Sequence, residues 1–168
     1  MSMSVHGMGI PQIQYQTNED FIQQAFGGET PQWKMLILDA ATKQKAADIL
    51  LHPYSGMRVR YWISQQRTAW IFDEIGKEMP ITMGVVVGAG GVEQVKILVY
   101  REERGGEVHQ DFFTRQFQGI TLTPEDSLSK PIDGITGATL SVNAVSRVTN
   151  LALVLHRQVL AKVAQPAP

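Results

Sequence analysis

The sequence predicts an α+β fold, a twisted antiparallel sheet with flanking helices. Three observations carry that prediction. Strand-type runs at 68–75, 81–87 and 92–100 follow one another across short connections, which antiparallel neighbours allow and parallel ones do not. From Leu140 onward Val142, Val145, Val148/Thr149, Ala152, Leu155/His156 and Val159 keep one helical face apolar. Between these stretches, 112–117 repeats aromatic residues at helical spacing.

In chain order, the first sixteen residues read as a flexible or appended lead-in, with no basic-then-apolar signal segment. Thr17-Asn18-Glu19-Asp20 caps a short helix at 21–26, which Gly27-Gly28 stops. Residues 33–38 form a short strand candidate. Residues 39–51 have helical composition, with Ala40, Ala47, Leu50 and Leu51 as the apolar stripe and Pro53 as terminator. Together 17–57 read as an extension packed on the domain. Residues 58–63 alternate polar and apolar as a half-buried strand does. Gly88-Ala89-Gly90-Gly91 could pass for a phosphate loop, but a strand pattern follows it, so it is a hairpin turn. Arg101 to Val108 is a dense charged loop. Asp111 is placed to cap the 112–117 helix, whose Phe113 and Phe117 share one face and read as core. Arg157 and Lys162 suit the negative end of the last helix, and 163–168 reads as a frayed tail. The domain proper spans 58–162.

Composition narrows the chemistry. A chain of 168 residues fits one domain with a real core. A formal charge of -1 and the lack of a Lys/Arg-rich run argue against a nucleic-acid partner. With no cysteine there is no disulfide, no iron–sulfur ligation and no thiol nucleophile. The four histidines, His6, His52, His109 and His156, lack zinc-type spacing and read as surface or locally bonded side chains. No metal site is expected, and no stretch reaches the ~18 apolar residues that span a membrane.

One stretch says more: Asp133-Gly134-Ile135-Thr136-Gly137-Ala138-Thr139-Leu140-Ser141. Gly137 permits a left-handed turn. Thr139 falls in the first turn of a helix, where N–H groups lack internal partners and the dipole is positive, a ready anion site. Thr136 precedes the turn and reads as serving the local hydrogen bonds of the loop. Ser141, two residues on, lies about 200° around the helix at ~3.6 residues per turn and points away from any anion held by Thr139. Taken alone, Gly-x-Thr is a capped helix start.

The full string resembles the flavinylation motif of the FMN-binding domain family, which includes flavin subunits of sodium-pumping NADH:quinone reductases and ferredoxin:NAD oxidoreductases. The charged loop and Phe117-Gln118-Gly119 extend the resemblance over about 58–157. It implies that Thr139 accepts FMN as a phosphoester, made by a separate flavin transferase from FAD. Thr136 matches the variable Ser/Thr and Asp133 the upstream acidic position, with Gly137, Ala138 and Ser141 completing the cofactor-binding string. Arg101 and Glu102 are expected on the flavin side of the sheet. It further implies an extracytoplasmic protein, periplasmic or membrane-associated, with redox partners there and its targeting segment outside this chain. No residue is identified as catalytic, so an electron-transfer module is favoured. The alternatives are a flavin-dependent reductase of a small extracytoplasmic substrate and a non-redox binding module.

Overall fold

A computed structural model describes residues 12–164. Its elements are β1 (Ile13–Gln14), α1 (Asn18–Ala25), β2 (Lys34–Ile37), α2 (Ala40–Leu50), β3 (Arg58–Ser64), β4 (Arg67–Ile75), β5 (Pro80–Gly88), β6 (Gly91–Tyr100), α3 (Asp111–Thr114) and α4 (Thr139–Ala164). The strands make one six-stranded sheet in the order β1-β6-β5-β4-β3-β2, every pair antiparallel. The α+β class is as the sequence predicts. β3 to β6 form the meander, and Gly88 and Gly91 close the last hairpin, with Gly91 at φ 104°.

The N-terminal segment is integral to this sheet. Residues 1–11 lie outside the described residues, but the expected lead-in boundary at 16 is corrected. Ile13 and Gln14 pair with Tyr100 and Val99, and the Tyr15 N–H donates to the Leu98 carbonyl. At the other end Val163 and Ala164 are still helical, and 165–168 lie outside the described residues. Thr17 caps α1 by accepting from the Asp20 N–H at 3.1 Å, and Gly27 and Gly28 follow with positive φ.

The α2 stripe differs from expectation. Thr42, Ala46 and Leu50 are the buried residues, while Leu51 is a left-handed terminator, largely exposed. Spacing of four selects that face, and a hydroxyl–amide pair between Thr42 and Gln158 of α4 replaces an apolar contact. Asp111 does not cap α3; Gln110 holds the cap position and Asp111 pairs with Arg115 one turn on.

The two sheet faces are covered unequally. On one, α4 buries Val142, Val145, Val148, Leu151, Leu155 and Val159 against Trp70, Ile81, Met83 and Ile97. Phe113 and Phe117 join this core fully buried, edge to face at 5.5 Å. On the other face α1 lays Phe21 and Ile22 on Ala69, Val86 and Leu98. The Phe21 ring occupies the space above Gly84, where a Cβ would stand 2.3 Å from it. Arg157 does not sit free at the end of α4 but grips Asp126 with two guanidinium nitrogens, and Lys45 of α2 closes on the same carboxylate. Those cations hold the Asp126 carboxyl far below the usual range.

Two histidines make opposite pH contributions. His52 has Nδ1 on the Pro53 carbonyl and Nε2 on the buried Glu74 carboxylate, both acceptors only. Both nitrogens therefore donate, and those bonds raise the His52 pKa. His156 is not a surface residue: it is buried, with Nδ1 2.7 Å from Thr68 Oγ1, which also accepts from the Trp70 indole N–H. Burial lowers its pKa below 6.5. The His52 contribution is thus complete below its unfolded pKa and lost as pH rises through the raised folded value. The His156 contribution is complete above about 6.5 and lost as pH falls toward the depressed folded value. Melting curves between pH 8 and pH 5.5 should show His156→Gln losing less stability on acidification than the parent, and His52→Gln gaining less. Parallel curves for parent and variant would contradict the assignment.

Candidate functional site

The cleft at the head of α4 gathers most of the motif. Gly137 adopts φ 83°, and the Ala138 N–H returns to the Ile135 carbonyl at 2.9 Å. The Ala138 carbonyl accepts the first helical bond, from Val142. Alanine therefore holds the cap position, with no side-chain oxygen to offer. No side chain among the described residues accepts from the N–H groups of Thr139, Leu140 or Ser141. Thr139 opens the helix with an exposed side chain.

Around this terminus lies a cleft of about 330 Å³, lined by Lys77, Glu102, Arg104, Gly105 and residues 137–141. A neighbouring hollow of about 400 Å³ shares Lys77, Glu102 and Arg104 and adds Glu78, Met79 and Glu103. The Glu102 carboxylate accepts from the N–H groups of Lys77, Glu78 and Met79 at 3.2, 2.7 and 3.2 Å, which pins the β4–β5 turn at the cleft mouth.

The floor is a hydrogen-bonded pair. Tyr100 Oη donates to the Arg104 carbonyl, so its contact of 2.8 Å with Ser141 Oγ is one in which the serine donates. Burial raises the Tyr100 pKa, which keeps that donor protonated. Ser141 is buried with its hydroxyl spent here, while Thr139 faces solvent. Gly105, at φ 90°, lies against this pair; a Cβ there would meet Tyr100 Oη at 2.5 Å and Ser141 Oγ at 2.7 Å.

The rest of the motif arrives by a loop anchored in the core through half-buried Ile132 and Ile135. Gln116, in the 3₁₀ turn after α3, accepts from the Asp133 N–H at 2.7 Å and donates to the Asp133 carbonyl at 3.3 Å. The Asp133 side chain stays exposed. Thr136 is also exposed and forms no side-chain hydrogen bond with a described residue, so the local bonds expected of it are absent.

Arg101 and Glu102 part company. Glu102 lines the α4 cleft, whereas Arg101 donates to the Pro80 carbonyl and Thr82 Oγ1 and lines a separate hollow beside the first turn of α1. The expectation that both face the same side is corrected, because neighbours on an extended chain point to opposite faces. Lys77, Arg104, Tyr100 and Gln116 were not singled out from sequence. The partners of Tyr100 and Gln116 are set by long-range packing, and Lys77 and Arg104 look like ordinary loop charges.

Free helix N–H groups, two nearby cations and a solvent-facing hydroxyl together suit an anionic group at a helix terminus. That donor set fits the phosphate of a mononucleotide. Residues 76–154 match the family model of the FMN-binding domain, and the family is recognised over that stretch. That match supports FMN as the cofactor. No curated protein and no solved structure matches the chain.

Proposed function

We propose that Thr139 Oγ1 carries FMN as a phosphoester and that the chain is an electron-transfer flavoprotein module. The observation that carries this reading is the exposed Thr139 hydroxyl at an uncapped helix terminus, flanked by Lys77 and Arg104. The first-turn N–H groups stabilise a retained phosphate charge by typically ~0.3–1 kcal/mol where exposed. Lys77 and Arg104 add cations, Glu102 holds the turn that presents Lys77, and Gly105 keeps the floor clear. When bound, the flavin supplies the redox chemistry, and the protein supplies orientation and polarity. The one carboxylate within 330 Å³ of cleft belongs to Glu102 and is engaged by three N–H donors, which favours a carrier over a self-contained enzyme.

Attachment requires a flavin transferase that moves FMN from FAD onto the hydroxyl. The Thr139 O–H bond is replaced by O–P, AMP leaves and the proton is released. Such maturation places the protein outside the cytoplasm, with membrane-associated or periplasmic redox partners. The test is intact mass after co-expression with a flavin transferase. A denaturation-resistant increase equal to FMN less water is expected. Flavin lost completely on denaturation would overturn the attachment while leaving FMN binding standing. Recovery of the full-length native protein in the cytosolic fraction would overturn the location.

A further inference from the structure

The face of the sheet that carries α1 is only partly covered. Helix α1 has eight residues and packs over β4, β5 and β6. Beyond it, alternation along β2 turns Leu36 to the main core and leaves Met35 and Ile37 on the α1 side, 42% and 66% exposed. Trp33 is 49% exposed. Val59 and Tyr61 of β3 likewise point to the main core, so Arg58 and Arg60 share the face with this apolar row. The Arg60 guanidinium lies 4.3 Å from the Trp33 ring. Exposed apolar side chains gathered on one edge mark an interaction surface, and tryptophan, methionine and arginine are the types enriched at such surfaces.

We propose that this uncovered half-face docks an acidic amphipathic helix supplied by a partner protein. The form follows from layering: a sheet face is completed by a helix beside the one already there, and α1 leaves room for one over β2 and β3. The charge follows from the arginines. Arg58 and Arg60 form no ion pair with any described residue, as is also true of Arg101, Arg104 and Arg147, but only Arg58 and Arg60 lie beside the exposed apolar row.

The same charges disfavour other occupants. A second copy packed face to face would set arginines against arginines. An anionic membrane is wider than one helix over β2 and β3 and would also have to cover Asp73 and Glu19, which border the hollow beside α1.

The test titrates the full chain with a synthetic helical peptide bearing one Leu/Phe face flanked by glutamates. A lysine-flanked counterpart and anionic phospholipid vesicles serve as comparisons, and amide shifts are read by NMR. The acidic peptide should shift β2 and β3 amides and leave those of 137–141 unmoved. Arg58→Glu combined with Arg60→Glu should weaken it about tenfold or more and transfer the preference to the lysine peptide. Ile37→Ser should weaken both peptides. Because the double variant alters only exposed side chains, its melting temperature serves as a folding check; if it unfolds, Ile37→Ser alone decides through the position of the shifts. Equal affinity for the two peptides, no binding, vesicle binding in place of peptide binding, or a dimer that the double variant dissolves would each overturn the proposal.

Discussion

Thr139→Ala should abolish covalent flavin and leave the fold intact. Thr139 is the first residue of α4 rather than its cap, is exposed, and makes no side-chain hydrogen bond with a described residue. Alanine is the stronger helix former, so the melting temperature should stay within the ~0.5 kcal/mol spread of surface substitutions. Thr139→Ser keeps the oxygen and should retain part of the attachment. Ser141→Ala should retain attachment too, at the expense of the Tyr100 bond. Asp133→Asn should lower the yield if that exposed carboxylate is what the transferase engages. Denaturing-gel fluorescence and peptide mass spectrometry after co-expression read all four. Covalent FMN persisting in Thr139→Ala, or lost from Ser141→Ala alone, would mean that a different hydroxyl is the acceptor.

Phe113→Ala should be the most destabilising of the substitutions considered. The ring is fully buried and contacts Phe117 edge to face. Truncating such a residue costs about 3–5 kcal/mol, so the denaturant midpoint should fall sharply with the m-value unchanged. The consequence reaches the site, because the same short helical segment carries Gln116, whose amide holds the Asp133 main chain. Gln116→Ala separates the two effects. It leaves no large cavity, should cost about 1–2 kcal/mol, and should lower flavin attachment out of proportion to that cost. If Gln116→Ala attaches flavin as the parent does, the clamp on Asp133 does not position the motif. If Phe113→Ala melts with the parent, the core assignment is wrong.

Local grammar was legible in the sequence. The strand runs, the Thr17 cap, the Gly27-Gly28 stop and the apolar face of α4 depend on neighbours within a turn or two, and the structure has them. The turn at Gly137 and the helix start at Thr139 are of the same kind. What resisted reading was parity and distance. Tyr100 reaches the α4 side, so its neighbour Arg101 must leave it, a point the alternation of β6 already contains. No pattern in the sequence could pair Tyr100 with Ser141, or Gln116 with Asp133, because packing alone brings them together. Strand β1 has two residues, too few for any period to show. Thr42 was missed on α2 because its partner, Gln158, lies on another helix.

Strands β1 and β2 sit on opposite edges of the sheet, so the chain between them must pass across its whole width. The meander from β3 to β6 can assemble from contacts between sequence neighbours, at little loop-closure cost. Ile13 pairs with Tyr100 across a far longer stretch of chain, whose closure costs more entropy. We predict that the crossing segment arrives late in folding, with contacts weak in the transition state and strong in the native state. Changes at Phe21, where it lands on Gly84, should register as faster unfolding with little change in the folding rate. Once seated, the segment works as a strap: it governs how long the sheet stays closed rather than how quickly it forms.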